Sequence, residues 1–91
     1  MYRIKQYTKN RALQIGVEVK PSKVKGKKID VFRRGKKIAS IGAIGYGDYP
    51  TFLEKKGKVF AEKRRKLYKL RHGKTRKIKW SNSWLADNLL W

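Results

Sequence analysis

The sequence lacks cysteine and is poor in acidic residues, histidine and proline. Its 91 residues include six Asp or Glu, one His and two Pro. Without cysteine the chain forms neither a disulfide nor a cysteine–zinc site, and the redox compartment stays undetermined. No apolar run approaches the roughly 20 residues of a membrane span. The polar, basic start of the chain predicts that it is not secreted through a signal peptide.

The shortage of histidine and carboxylates argues against catalysis. His72 is the single histidine, so no histidine pair can hold a metal ion. A metal-dependent nuclease needs two or three carboxylates to converge, and their spacing does not indicate this. Each carboxylate is explained as a partner of nearby cations, a turn residue or a helix-start residue: Glu18, Asp30, Asp48, Glu54, Glu62 and Asp87. We therefore expect a protein that is not an enzyme and uses no cofactor or metal.

Positive charge is what the sequence has in excess. The 26 Lys and Arg give a formal net charge of +20. Both halves of the chain are cationic, which excludes a neutral domain with a basic tail. Such self-repulsion destabilises a compact state unless a polyanion neutralises it. Nucleic acid is the most economical partner, because neutralising its phosphates releases condensed counterions.

The densest basic run spans residues 63–79, where ten of seventeen residues are Lys or Arg and none is acidic. A solvated helix face is the ordinary explanation of a charge run, but such faces normally mix both signs. We predict phosphate contacts from Lys63, Arg64, Arg65, Lys66, Lys69, Arg71, Lys74, Arg76 and Lys77. A second predicted phosphate-binding patch lies at the hairpin tip, near the lysine-rich loop 23–28: Arg33, Arg34, Lys36 and Lys37. An ordinary solvated loop and turn explains these residues equally well.

Aromatic residues lie among and beside these cations. Such residues can stack on the bases of a single strand, although core packing is the more ordinary role. The candidates for base stacking are Tyr46, Tyr49, Tyr68 and Trp80. A separate apolar segment at the C-terminus is a candidate protein interface: Trp84, Leu85, Leu89, Leu90 and Trp91.

The first half of the chain has the patterns of β-strands. Apolar residues alternate with others over 13–19, which predicts a strand that Pro21 ends. Residues 29–33 and 37–41 predict a β-hairpin whose turn contains Gly35 at a positive φ. A further strand is predicted over Tyr2–Tyr7.

The second half has the patterns of helices. Thr51 and Glu54 fit a capping box beside Pro50, and the helix is predicted to run to about His72. Gly57 is a weak point where a bend or break is expected. Three apolar residues mark its predicted buried stripe, Phe60, Leu67 and Leu70, and its predicted C-cap is Gly73. Ser81, Asn82 and Ser83 are predicted to cap a final helix, Trp84–Trp91.

These elements predict an α+β fold in a single small basic domain, 1–91. A small antiparallel sheet of three or four strands, including the 29–41 hairpin, is followed by a long basic helix and a short C-terminal helix. The predicted divisions are a strand-rich part (1–47), a helix (48–73), a basic linker (74–80) and a short apolar helix (81–91).

Several blocks of the sequence together resemble a small family of uncharacterised proteins encoded by giant DNA viruses and environmental phages. The blocks are Asp30-Val31-Phe32, GKKIASIGAIGY from Gly35, DYPT from Asp48, RRKLY with RH at 64–72, and ADNLLW at the end. They cover about half of the chain plus its C-terminus. The family has no established catalytic mechanism, so the resemblance implies an origin and transfers no site.

The resemblance implies a protein that is used inside the host cell or packaged in a virus particle. Its charge is suited to largely sequence-nonspecific binding of nucleic acid, with DNA weakly favoured over RNA. The alternative is a structural virion protein, such as a minor capsid or assembly component, that binds capsid or other virion proteins through the C-terminal Trp/Leu segment. A polybasic membrane-surface protein is a weaker third reading. The oligomeric state stays open.

Overall fold

The chain combines a three-stranded antiparallel sheet with four α-helices among residues 2–91, which are the residues that the computed structural model describes. Met1, the first residue of the predicted domain, lies outside them. The α+β class is confirmed, with a long basic helix and a short C-terminal one. The elements are α1 Gln6–Ile15, β1 Glu18–Pro21, β2 Lys27–Arg33, β3 Lys36–Ala43, α2 Tyr49–Lys56, α3 Lys58–Arg71, a 3₁₀ turn Thr75–Lys77 and α4 Asn82–Leu89.

The chain divides into two compact units. One ends at Tyr46 and contains α1 and the sheet, with strand order β1-β2-β3. The other spans Gly47–Trp91 and contains α2, α3, the 3₁₀ turn and α4. The single domain expected for 1–91 stays a prediction.

The strand predicted over Tyr2–Tyr7 is wrong. The one predicted over 13–19 is wrong up to position 17, since β1 begins at Glu18, and it ends at Pro21 as predicted. Helix α1 occupies Gln6–Ile15 and buries Thr8 and Ala12, a polar and a small residue four positions apart. Gly16 ends it in the left-handed conformation (φ 76°), and its N–H group reaches the carbonyls of the last turn. The apparent alternation crosses this boundary. Leu13, counted as a core position, is 81% exposed.

The predicted hairpin is confirmed as β2 and β3. Arg33 pairs with Lys36, which leaves a two-residue turn of Arg34 and Gly35. Both turn residues have positive φ, 53° and 78°, as the twist-compatible type I′ turn requires. The turn therefore places the residues of the second basic patch at one end of the sheet.

Asp30, in the central strand, is a buried carboxylate that is fully engaged within the first unit. Its side chain accepts hydrogen bonds from the hydroxyls of Ser22 (2.5 Å) and Ser40 (2.6 Å) and from the Lys23 N–H group (3.3 Å). These hydrogen bonds, the serine hydroxyls first, lower the pKa of Asp30 from its ordinary value of 3.8 to about 2 despite burial. The network ties the loop after β1 to both strands of the hairpin.

Replacing Asp30 by asparagine is expected to lower the free energy of unfolding by about 2–3 kcal/mol, because hydrogen bonds to a charged acceptor are lost. Urea unfolding followed by circular dichroism measures the loss, and Glu18→Gln, on an exposed carboxylate, is the control. Since the folded pKa is depressed, the difference between wild type and variant is full above about pH 4 and shrinks toward pH 2. A difference that grows on acidification would contradict this assignment.

In the second unit, Asp48 rather than Thr51 caps α2. The Asp48 side chain accepts the backbone N–H of Thr51 at 3.0 Å, while Pro50 occupies the first turn. The capping box predicted at Thr51 is therefore wrong in position. The N-cap is the residue with extended backbone just before the helix, and that residue is Asp48. Gly57 (φ 88°) separates α2 from α3, so the break expected there is confirmed.

The C-terminal helix is built into the second unit. Ser81 caps α4 by accepting the Trp84 N–H group at 3.1 Å, as predicted, although the helix begins at Asn82. Leu90, which follows α4, accepts the Tyr49 N–H group at 2.9 Å. Helix α3 ends at Arg71 with His72 as its C-cap, so the cap predicted at Gly73 is wrong by one residue.

Candidate nucleic-acid interface

Helix α3 carries six of the predicted phosphate-binding residues, and the structure separates them into two sets. Lys63, Arg64, Lys66 and Arg71 are exposed, whereas Arg65 and Lys69 are half-buried. With 3.6 residues per turn, positions 62, 65 and 69 share the side that also bears the buried Ala61. The exposed set is therefore the part of the helix that is accessible to a long polyanion.

Arg65 serves the packing of its own unit. Its guanidinium lies 2.7 Å from the Glu62 carboxylate, 3.8 Å from the ring centroid of Tyr49, and donates to the Trp91 carbonyl at 3.3 Å. The Tyr49 hydroxyl also donates to Glu62 at 2.9 Å. These two donors, the tyrosine hydroxyl first, lower the pKa of Glu62. Arg65 thus connects α2, α3 and the C-terminus and is only partly available to a ligand.

Lys69 and Arg76 share one carboxylate, Asp87 on α4. The Lys69 ammonium is 2.8 Å from it and an Arg76 guanidinium nitrogen is 3.9 Å away. Arg76 also donates through Nε to the Lys69 carbonyl at 3.4 Å, near the end of α3. This group fastens the 3₁₀ turn and α4 to α3, while Lys74 and Lys77 on either side remain exposed.

The second basic patch surrounds the hairpin turn in the first unit. Arg34, Lys36 and Lys37 are exposed and Arg33 is half-buried. The Lys37 ammonium lies 3.6 Å from the Asp30 carboxylate. Part of the positive charge of Lys37 is therefore neutralised within the unit. Because the two basic patches belong to different units, each is a separate candidate surface.

The four base-stacking candidates differ in accessibility. Tyr46 is 76% exposed. Tyr49 is buried, and Tyr68 stacks on Trp91 with ring centroids 4.5 Å apart and an angle of 10° between the rings. Burial, with a smaller effect of Asp87, raises the pKa of Tyr68 to about 12. Trp80 is half-buried, its ring centroid 5.0 Å from that of Trp84. Among the four, Tyr46 alone offers an open ring.

The candidate protein interface at the C-terminus is mostly interior. Leu85 and Leu89 are fully buried and Leu90 nearly so, whereas Trp84 and Trp91 are half-buried. A partner would therefore meet the edges of the tryptophans, since the leucines are occupied by packing within the chain.

The outer side of α3 carries apolar residues that the sequence pattern placed on a buried stripe. Leu67 and Leu70 are 50% and 71% exposed, and Val59, which the pattern did not single out, is 74% exposed. We call Val59, Leu67 and Leu70 the apolar row. Phe60 is also exposed but packs edge-on against Phe52 at 5.3 Å. Ala61 is the buried position of the helix, so the expected inward stripe is wrong.

Glu62 and Asp87 hold these cations in place, and the sequence pattern did not specify which cations they pair with. Glu62 could have been recognised from its i,i+3 spacing to Arg65. Asp87 could not, because it meets Lys69 eighteen residues away and no local pattern signals that pairing.

The comparisons with known proteins find no matching protein family, no matching curated protein and no matching solved structure. Within residues 2–91, no three His, Asp or Glu side chains are grouped as a metal ion would require. In the same range, no helix combines the length and hydrophobicity needed to cross a bilayer.

Proposed function

We propose that this protein is a non-enzymatic, largely sequence-nonspecific nucleic-acid-binding protein, with DNA as the favoured ligand. It would neutralise phosphates with the exposed cations of α3 and of the following segment, and with those of the hairpin turn. Phosphate contacts of this kind position a nucleic acid and carry little sequence information. The resemblance to the viral family supports a viral origin as part of the same proposal.

This proposal rests on the observation that most of the few carboxylates form hydrogen bonds or ion pairs within the fold. At least four of the six are engaged within the fold: Asp30, Asp48, Glu62 and Asp87. The exposed cations of α3 therefore have few acidic neighbours to neutralise them. A net charge of +20 left on a surface of this size favours association with a polyanion.

Fluorescence anisotropy with duplex DNA, single-stranded DNA and RNA of scrambled sequence tests the proposal. We expect tight binding, with the logarithm of the association constant falling against the logarithm of salt concentration at a slope of roughly five or more in magnitude. Duplex DNA should bind at least as tightly as RNA. Weak or salt-independent binding to all three ligands would overturn it. A clear preference for one sequence would overturn the nonspecific reading alone.

The alternative proposal is a structural virion protein that binds capsid or other virion proteins. It is favoured by the apolar row of α3, which phosphate binding does not use, and by the half-buried edges of Trp84 and Trp91. Sedimentation of the protein with and without nucleic acid separates the two proposals. Self-association or partner binding that persists without a polyanion would favour the structural role.

A further inference from the structure

An open depression of about 310 Å³ lies beside α3 in the second unit. That volume is at the low end of the range for small-molecule sites. Four cations and one carboxylate contribute to its wall, together with one apolar side chain: Glu62, Arg65, Lys66, Lys69, Leu70 and Arg76.

The wall is made by one helix side and one turn. Positions 62, 65, 66 and 69 are spaced so that their side chains are neighbours on α3. Arg76 comes from the 3₁₀ turn, and its bond to the Lys69 carbonyl orients its guanidinium. Arg65 is held by Glu62 and by the Trp91 carbonyl. Two guanidinium groups are therefore held in place before any ligand arrives, which reduces the entropy cost of binding.

The charges around the depression do not balance. Glu62 forms an ion pair with Arg65. Asp87 forms a close ion pair with Lys69 at 2.8 Å and a long one with Arg76 at 3.9 Å. Among the described residues, no carboxylate lies within ion-pair distance of Lys66. Four cations thus face fewer carboxylates, which leaves an excess of positive charge that suits the negative charge of a phosphate group.

We infer that this depression is a phosphate-binding site for a single phosphate group of a nucleotide, and this inference rests on the proposed function. Guanidinium groups bind phosphate oxygens through paired hydrogen bonds, and lysine adds a mobile point charge. Leu70, which is 71% exposed, adds an apolar side chain beside these cations. A bound phosphate would compete with Asp87 for Lys69 and Arg76.

Lys66 is the residue to replace, because it is exposed and unpaired and its loss leaves the packing intact. NMR titration of the full chain with inorganic phosphate should move the amide signals of 65–70 and 76 together and saturably. We expect Lys66→Gln to weaken this binding about tenfold, as for the loss of one charge-assisted contact. Lys66→Arg should restore most of it. Lys55→Gln removes the same charge from exposed α2 and should change the affinity less than about twofold.

A second titration, with one oligonucleotide carrying or lacking a 5′-phosphate, identifies the source of the phosphate. Tighter binding of the phosphorylated form, lost in Lys66→Gln, supports a terminal nucleotide.

Diffuse shifts over all basic residues, or equal losses of affinity in Lys66→Gln and Lys55→Gln, would overturn the site. Steep salt-dependent duplex binding would then leave the proposed function standing. Phosphate binding at the depression without any nucleic-acid binding would instead overturn the proposed function and support the depression as a phosphate site.

Discussion

Replacing Lys63, Arg64 and Arg71 together by glutamine is expected to lower the affinity for scrambled duplex DNA by roughly 10²–10³ at 100 mM salt. Each phosphate contact contributes about 0.9 to the slope of log affinity against log salt, so the slope should fall by about three. Anisotropy over a salt series measures both quantities. All three side chains are exposed, so we expect the variant to remain folded.

A matched control removes three charges elsewhere. Lys9, Lys55 and Lys56 are exposed residues of α1 and α2 outside both basic patches, and replacing them by glutamine lowers the net charge from +20 to +17 in the same way. The control should lose less affinity and keep most of the slope. If both variants lose equally, the α3 surface has no special role and binding follows net charge alone.

The structure also shows why Arg65 and Lys69 are poor choices for this experiment. Arg65 joins Glu62, Tyr49 and the Trp91 carbonyl, and Lys69 pairs with Asp87. Their replacement would weaken the fold and the ligand surface together. A loss of binding could then not be assigned to a phosphate contact.

Leu89→Ala is expected to lower the free energy of unfolding of the second unit by about 2–5 kcal/mol, because Leu89 is fully buried and its loss leaves a cavity. All three tryptophans, Trp80, Trp84 and Trp91, lie in this unit, so tryptophan fluorescence during urea unfolding reports it specifically. Such a loss is a large fraction of the stability of a small protein.

Leu13→Ala is the control for this substitution. It makes the same chemical change at an 81% exposed position, where we expect an effect within about 0.5 kcal/mol. Wild-type stability in Leu89→Ala would mean that the C-terminal segment is not part of the core. That result would strengthen its assignment as a protein interface.

The hairpin and the C-terminal cap were predictable because their signals are local. Gly35 beside Arg34 selects the tight turn, and Ser81 stands three residues before the Trp84 N–H group that it caps. The N-terminal helix was not predictable from apolar periodicity, since it buries Thr8 and Ala12 and exposes Leu13. The alternation over 13–19 is accidental, because it crosses Gly16, where the helix ends.

The candidate site was predictable in composition and not in detail. A run of ten cations identifies α3 and its flank, but which cations are accessible depends on Glu62 and Asp87. Asp87 reaches Lys69 only after α4 packs against the rest of its unit. The sequence therefore predicts a polyanionic ligand, and tertiary pairing decides which of the cations are accessible.

The apolar row of α3 gives the positive charge a second consequence, which concerns solubility. Val59, Leu67 and Leu70 are exposed apolar groups of the kind that bring proteins together. While the chains carry +20, colloidal repulsion keeps these rows apart. A polyanion that cancels the charge also removes this protection. If the chains bind along one strand as proposed, neutralised chains would touch through their apolar rows, and coating the strand would also condense it.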